Sequence, residues 1–477
     1  MKKLLFILSI ALCGIVGLHP FGANAQYTPL LNFNGANGQQ PYSGLYSDGT
    51  FLYGMTRNGG TNGQGVVFRM KPDGTSDTVL LNFSTGANGY NPDGGLYSDG
   101  AFLYGMTTSG GSGTCSPYPC GTIFKIKPDG TGYTKLIDFT GANGATPTGS
   151  LISDGTFLYG MTQNGGTNNS GVLFKIQPNG TNYTKLLDFV GANGYNPLSS
   201  LFFDGTFLFG MTYQGGANTN ASCINGCGVI FKIKPDGTGY VKLLDFAGYP
   251  TNGQFPNGAL ISDGTFLYGT TNSGGQTFNK GVVFKIKPDG TGYSELLNTN
   301  VYKPNGTLYF DGTSLFGTSW IGNYGDIFKV NTNGTGYSQL YNFIGYPTDG
   351  SSPNGSLISD GASLYGMTAN GGTGNIGVVF KYHDTTATGI SENNTKTDFT
   401  ISPNPFSTQT TLQTDNPLHN ATLTVDNCFG QTVKQIKNIS GQTIIFNRDN
   451  LASGLYFVRL TEENKTIAVD KLVITDK

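Results

Sequence analysis

An Asp-Gly pair after a short apolar run recurs at Asp48, Asp99, Asp154, Asp204, Asp263, Asp311 and Asp360, in steps of 51, 55, 50, 59, 48 and 49 residues. A period near fifty constrains the fold more than any other feature, because each unit can bury its apolar surface only against another copy. The copy from Gly149 to Phe189 reads GSLISDGTFLYGMTQNGGTNNSGVLFKIQPNGTNYTKLLDF. It holds four runs of strand character, Gly149–Ser153, Thr156–Thr162, Gly171–Gln177 and Tyr183–Phe189, each bounded by turn residues. Asp154-Gly155 sits at two-residue hairpin spacing, where glycine accepts positive φ cheaply. Pro178-Asn179-Gly180 marks a second turn. No segment has a 3.6-residue apolar period over helical length. Four antiparallel strands per unit, seven times over, predict an all-β fold built as a seven-bladed, four-stranded β-propeller.

The ends of the repeat region add a second constraint. The first copy begins with a fourth strand, Thr28–Phe33, and the seventh stops after a third, Gly377–Tyr382. The N-terminal strand is expected to fill that vacancy and close the ring, which removes two open edges. An open β-array is the alternative. Residues 26–383 are assigned to the propeller, 384–397 to a polar linker, and 398–477 to a small Ig-like β-sandwich with short alternating strands.

Met1-Lys2-Lys3, the apolar run to Leu18 and Ala23-Asn24-Ala25 form a secretory signal peptide over 1–25, with cleavage expected before Gln26. No other stretch is long and apolar enough to span a membrane. A net charge of −2 leaves no footprint for nucleic acid. Cys115/Cys120 and Cys223/Cys227 are close pairs in the two longest loops between second and third strands. Two close pairs can resemble a zinc framework. An exported chain with the pairs in non-adjacent blades favours two local disulfides. Cys428 is left over and expected to be buried.

Two resemblances follow from motifs. Ser402-Pro403-Asn404-Pro405-Phe406, Leu451-Ala452-Ser453-Gly454-Leu455-Tyr456 and Lys471-Leu472-Val473 closely match the C-terminal sorting domain of the type IX secretion system of Bacteroidota, in its type A form. The resemblance implies recognition by the type IX machinery, export across the outer membrane, removal of the domain, and surface attachment or release. An unrelated Ig-like binding domain is the alternative. The pattern LYGMT…GG…GVVFKIKPDGTGY…LLDF is similar to the GloVer tandem repeat of bacterial surface proteins. That resemblance implies a propeller-like passenger and no activity. The sixth copy departs most, with GTSWIGN in place of GMTxxGG, so its regularity is open.

No catalytic constellation is present. The three His are scattered, at 19, 383 and 419, and Glu295 is the only Glu in the mature propeller. No cofactor or metal is expected. The recurring Asp of Asp-Gly reads as a turn residue. The Asx ending each fourth strand (Asn32, Asn82, Asp138, Asp188, Asp245, Asn298, Asn342) is expected to bond the loop that follows it, with a ring of cation ligands as the alternative. Function should lie where the copies differ. The residue after each GMT-like triplet is Arg57, Thr108, Gln163, Tyr213, Asn272, Trp320 and Ala369. Arg57, Gln163, Tyr213, Asn272 and Trp320 are candidate ligand-binding residues, with aromatics and amides suited to glycan or protein. A monomeric binding or adhesion module is the favoured reading. A polysaccharide-active enzyme and a structural surface coat without a ligand are the alternatives.

Overall fold

A computed structural model of the protein describes residues 26–86, 88–115, 120–276, 279–298, 302–320, 324–383, 399–427, 432–462 and 465–475. The signal peptide, the linker and Cys428 lie outside these residues. Every regular element described is a strand. Residues 27–382 form seven four-stranded antiparallel sheets that resemble propeller blades. The third is built from Ile152–Ser153, Leu158–Thr162, Val172–Ile176 and Thr184–Asp188. Its second strand is buried throughout and its fourth is half-exposed, as expected for a strand with neighbours on both faces.

The first strand is shorter than the sequence suggests. Only Ile152 and Ser153 pair with the second strand. Gly149 and Ser150 run along the next repeat instead, where Ser150 N–H donates to Ser200 Oγ at 2.7 Å. Gly160 in the second strand is required by Phe174, because a methyl there would lie 2.7 Å from the ring.

The Asp-Gly turns behave as turns and do one thing more. Asp154 Oδ1 accepts the N–H groups of Thr156 and Phe157, and its Oδ2 accepts the Tyr159 hydroxyl at 2.7 Å. In the fourth and sixth copies Phe209 and Phe316 replace that tyrosine; Asp204 keeps the turn bonds, and Asp311 keeps them with the Thr313 hydroxyl added. In four copies the Asx at the end of the fourth strand bonds a different loop from the one expected. Asn32, Asn82, Asp188 and Asp245 accept N–H groups from the loop between the second and third strands of their own sheet. The following loop is held by its own asparagine: Asn143 Oδ1 accepts Thr140 N–H and Asn143 Nδ2 donates to Asp138 O.

Seven apolar clusters hold the sheets together, and each is shared by two consecutive copies. Leu158, Phe174 and Ile176 of the third sheet pack with Tyr104 and Ile123 of the second. Tyr365, Met367 and Val379 of the seventh pack with Leu52, Val66 and Phe68 of the first. A proline repeats the link. A methyl on Gly171 would fall 2.8 Å from Pro197 Cδ of the next copy, and one on Gly377 would fall 2.8 Å from Pro41 Cδ. The residue before each proline has positive φ although none is glycine: Gln40, Asn91, Thr146, Asn196, Phe255, Lys303 and Ser352 lie between 50° and 61°. Such a residue is costly and persists only where its surroundings fix it. Thr146 illustrates how: its N–H donates to Cys120 O of the preceding copy, and its carbonyl accepts Gln163 N–H of its own.

Tyr27–Asn32 pairs antiparallel with Val378–Tyr382 and supplies the fourth strand of the seventh sheet. Both local disulfides form, Cys115–Cys120 and Cys223–Cys227.

The sixth sheet is four-stranded like the others, and its unusual residues compensate one another. Asp326 stands where other copies have Val or Thr, and it is fully buried. Ser319 Oγ donates to it at 2.5 Å and Gln339 Nε2 at 3.0 Å. Burial pushes its carboxyl up to about 6, against hydrogen bonds that pull it down. Folding therefore favours the protonated form. That contribution is present below the unfolded value of about 4 and is lost as pH rises through about 6. A shift of this size is on the order of 3 kcal/mol. Calorimetry across this window should show melting temperature falling with pH more steeply in the wild type than in Asp326→Asn. Parallel profiles would remove Asp326 as the cause.

Residues 399–474 form five strands around one separate core that includes Phe406, Leu412, Leu423, Phe446, Val458 and Leu472. The expected sandwich is realised as one continuously paired sheet. Gln409–Asn427 pairs with Phe399–Ser402 in its first half, with Gly454–Glu462 in its second, and with Thr432–Asn447 along most of its length. Both halves contribute to the same core, so the long strands bend over it. Gly454 opens its strand. The proline-rich and Lys-Leu-Val motifs meet: Asn404 Nδ2 donates to Lys471 O at 2.7 Å and Asn404 Oδ1 accepts Val473 N–H at 2.8 Å. Pro403 and Pro405 flank that asparagine, and Pro403 O accepts the Thr410 hydroxyl. Tyr456 O–H donates to Ala452 O at 2.8 Å, so the third motif is also a local clamp.

Candidate ligand-binding site in the shared cavity

The prolines that link the sheets also place the residues that follow them. Tyr42, Asp93, Thr148, Leu198, Asn257, Asn305 and Asn354 each stand one position after the repeated proline. All seven line a single cavity of about 480 Å3 to which every repeat contributes. A ligand pocket commonly spans about 300–1,000 Å3. The proline before and the leucine three residues after are the same in every copy, so the frame is constant while this side chain changes.

Of the candidates named from sequence, Arg57 and Trp320 reach this cavity. Gln163 joins Arg57 in an adjoining groove of about 340 Å3 that also holds Asp93 and Thr148. Tyr213 and Asn272 line neither. Tyr213 stacks on Phe255 with centroids 4.8 Å apart, and Asn272 Oδ1 accepts the Ser273 hydroxyl. Thr108 and Ala369, at the same repeat position, are buried. The post-proline set was missed, although the alignment of the copies carries the signal: a variable residue between an invariant proline and an invariant leucine.

The cavity wall has two distinct sides. Three consecutive repeats contribute asparagines joined in a row: Asn257 Nδ2 donates to Asn305 Oδ1, and Asn305 Nδ2 donates to Asn354 Oδ1 at 2.7 Å. Trp320 Nε1 donates to the same Asn354 oxygen at 3.3 Å, and Trp320 is 42% exposed. On the other side Arg57 lies 3.5 Å from Asp93 and 5.6 Å from the centre of the Tyr42 ring. These are the only charged residues among those described in the wall. Burial raises the Asp93 carboxyl above its ordinary range, and Arg57 pulls it back down. Asp93 Oδ1 is buried without a hydrogen-bond partner among the described residues. Among those residues no group of three or more His, Cys, Asp or Glu could hold a metal, and no helix is long and apolar enough to cross a membrane.

Known proteins resemble this chain in parts. No curated protein matches it. An oligogalacturonate lyase in complex with manganese superposes with a TM-score of 0.49 at 10% identity, over 75% of this chain and 92% of that one. The extracellular domain of a putative hybrid two component system from B. thetaiotaomicron gives 0.48 at 12% identity, over 94% of this chain and 57% of that one. The extracellular domain of a putative one component system from the same organism gives 0.46 at 12%, over 95% and 58%. At these scores they say nothing about activity. Sequence families are more specific. Residues 15–224 match the Gloeobacter/Verrucomicrobia repeat, and residues 400–475 match the secretion system C-terminal sorting domain. The protein therefore joins Gloeobacter/Verrucomicrobia repeats to a type IX C-terminal sorting domain, and it is exported to the cell surface or beyond.

Proposed function

We propose that the exported passenger is a non-catalytic binding or adhesion module for a glycan or protein, built as a closed seven-bladed propeller over residues 26–383. It acts as a monomer, follows a signal peptide over 1–25, and is joined by a linker over 384–397 to the sorting domain over 398–477. One observation carries the reading. Seven side chains of five chemical types sit at one repeat position and line one cavity, on a frame that is otherwise repeated. Rigid scaffolds that present variable residues are the usual basis of recognition. Closure is supported by the Tyr27–Asn32 pairing and by the apolar cluster between the seventh and first sheets. An enzyme acting on polysaccharide by hydrolysis would need two carboxylates across the bond. Asp93 is the single carboxylate among the residues lining the cavity, and it is paired with Arg57.

The test is a glycan and protein array with the full mature chain, repeated with Trp320→Ala. The tryptophan is large, exposed and beside the amide row. Its loss should weaken binding by about 1–3 kcal/mol and leave the melting temperature within a few degrees. A large fall in melting temperature with no ligand on either array would favour the structural-coat alternative.

A further inference from the structure

We infer that the cavity takes the end of a neutral glycan chain, recognised by the asparagine row, Asp93 and Trp320 together. The inference rests on the binding reading above and narrows it to one ligand class. The first argument is hydrogen-bond arithmetic. Asn305 gives one hydrogen to Asn354 and receives one from Asn257. An amide has two donors and two lone pairs, so Asn305 keeps one of each for a ligand, and the Trp320 indole N–H on the Asn354 oxygen fixes which way the row runs. A sugar hydroxyl can both donate and accept, and neighbouring hydroxyls match such a mixed row.

The second argument is Asp93. Its Oδ1 is buried without a donor among the described residues, and Asp93 itself lines the cavity. A buried acceptor left unmade is costly, and a turn of the carboxylate toward the cavity that its residue lines would let a ligand hydroxyl satisfy it. Arg57 already neutralises its charge. No surplus cation among the described wall residues remains to receive a uronate or sulfate, so charge favours a neutral ligand.

The third argument is the aromatic surface around Trp320. Tyr302, whose carbonyl accepts the Trp320 backbone N–H at 2.7 Å, is exposed with Lys303 Nζ 5.5 Å from its ring centre, and Tyr324 and Tyr346 are exposed in the neighbouring loops. Flat aromatic faces beside amides stack on the apolar face of a sugar ring. None of these three tyrosines lines the cavity, so they would meet only the part of a chain that continues out of it.

Trp320 is the only tryptophan in the protein, so its fluorescence reports on this site alone. The experiment titrates the full mature chain with a panel of neutral oligosaccharides (glucans, mannans, galactans), with uronate oligosaccharides, and with a mixed peptide library. At least one neutral member should shift the Trp320 emission saturably. Asn305→Ala and Asp93→Asn should each weaken that response at least tenfold, with melting temperatures unchanged within a few degrees. The inference is overturned if no neutral member responds, if a uronate binds more tightly than its neutral counterpart, or if neither substitution alters the affinity. A response to uronates or peptides alone would leave the binding reading standing while removing the neutral glycan. Silence across the whole panel would remove both.

Discussion

Removing residues 27–34 is expected to lower stability by at least about 5 kcal/mol and to promote aggregation. This segment begins the chain's described fold yet pairs with its seventh sheet, from Tyr27 opposite Tyr382 to Asn32 opposite Val378. Phe33 is fully buried in the cluster between the seventh and first sheets, and truncating one such phenylalanine costs about 3–5 kcal/mol. Tyr27 stacks on Tyr341 with centroids 4.2 Å apart. Asn32 Oδ1 accepts Thr373 N–H at 3.1 Å. Each net hydrogen bond adds about 1 kcal/mol, and the stripped third strand would become an exposed edge. At about 2–4 °C per kcal/mol for a domain of 150–250 residues, calorimetry should register a fall of roughly 10 °C or more. Phe33→Ala should reproduce part of it with the strand still present. A truncated protein that melts like the wild type would mean that the seventh sheet stands without its fourth strand and that the proposed closure does not depend on it.

Much of this was legible because the repeat writes its physics seven times. Apolar runs of five residues between Asp-Gly and Pro-Asp-Gly turns can only be short strands, and the second, third and fourth strands of the third sheet fall inside the predicted runs. The leftover strand at the front pointed to the vacancy at the back, and the two pair. What escaped were features that depend on the neighbouring copy. Gly149 and Ser150 look like the start of a strand, but their polar groups are satisfied across the sheet boundary. The residue before each proline would be expected in an extended conformation. Bonds to two different copies hold it at positive φ instead. Lys175 lies 4.8 Å from the Phe157 ring and donates to Pro235 O of the next repeat. The site was half legible for the same reason. Arg57 and Trp320 were found by asking which position varies, while the post-proline position varies as much and lines the cavity more completely.

Deleting Phe399–Lys477 is expected to abolish surface display almost completely while leaving the seven sheets folded. The two effects separate because the cores are separate. The apolar cluster of the C-terminal domain draws only on residues from Ile401 to Ile474, and the seven inter-sheet clusters draw only on residues up to Tyr382. Among the described residues no apolar cluster is shared, so the purified truncation should melt within a few degrees of the wild type. Export depends instead on the sorting domain that residues 400–475 match. Fractionation of a type IX-competent host should therefore find the truncated protein in the periplasm and the full chain at the surface or in the medium. Asn404→Ala gives a finer version of the test. It removes two hydrogen bonds that join the proline-rich motif to the final strand across 67 and 69 residues of sequence. The cost to the small domain should be about 1–3 kcal/mol, enough to reduce display if the machinery reads the folded domain. Normal display of Asn404→Ala with a destabilised tail would mean that the machinery reads the motif residues as an extended segment. Normal display of the full deletion would mean that export information lies within the repeats themselves.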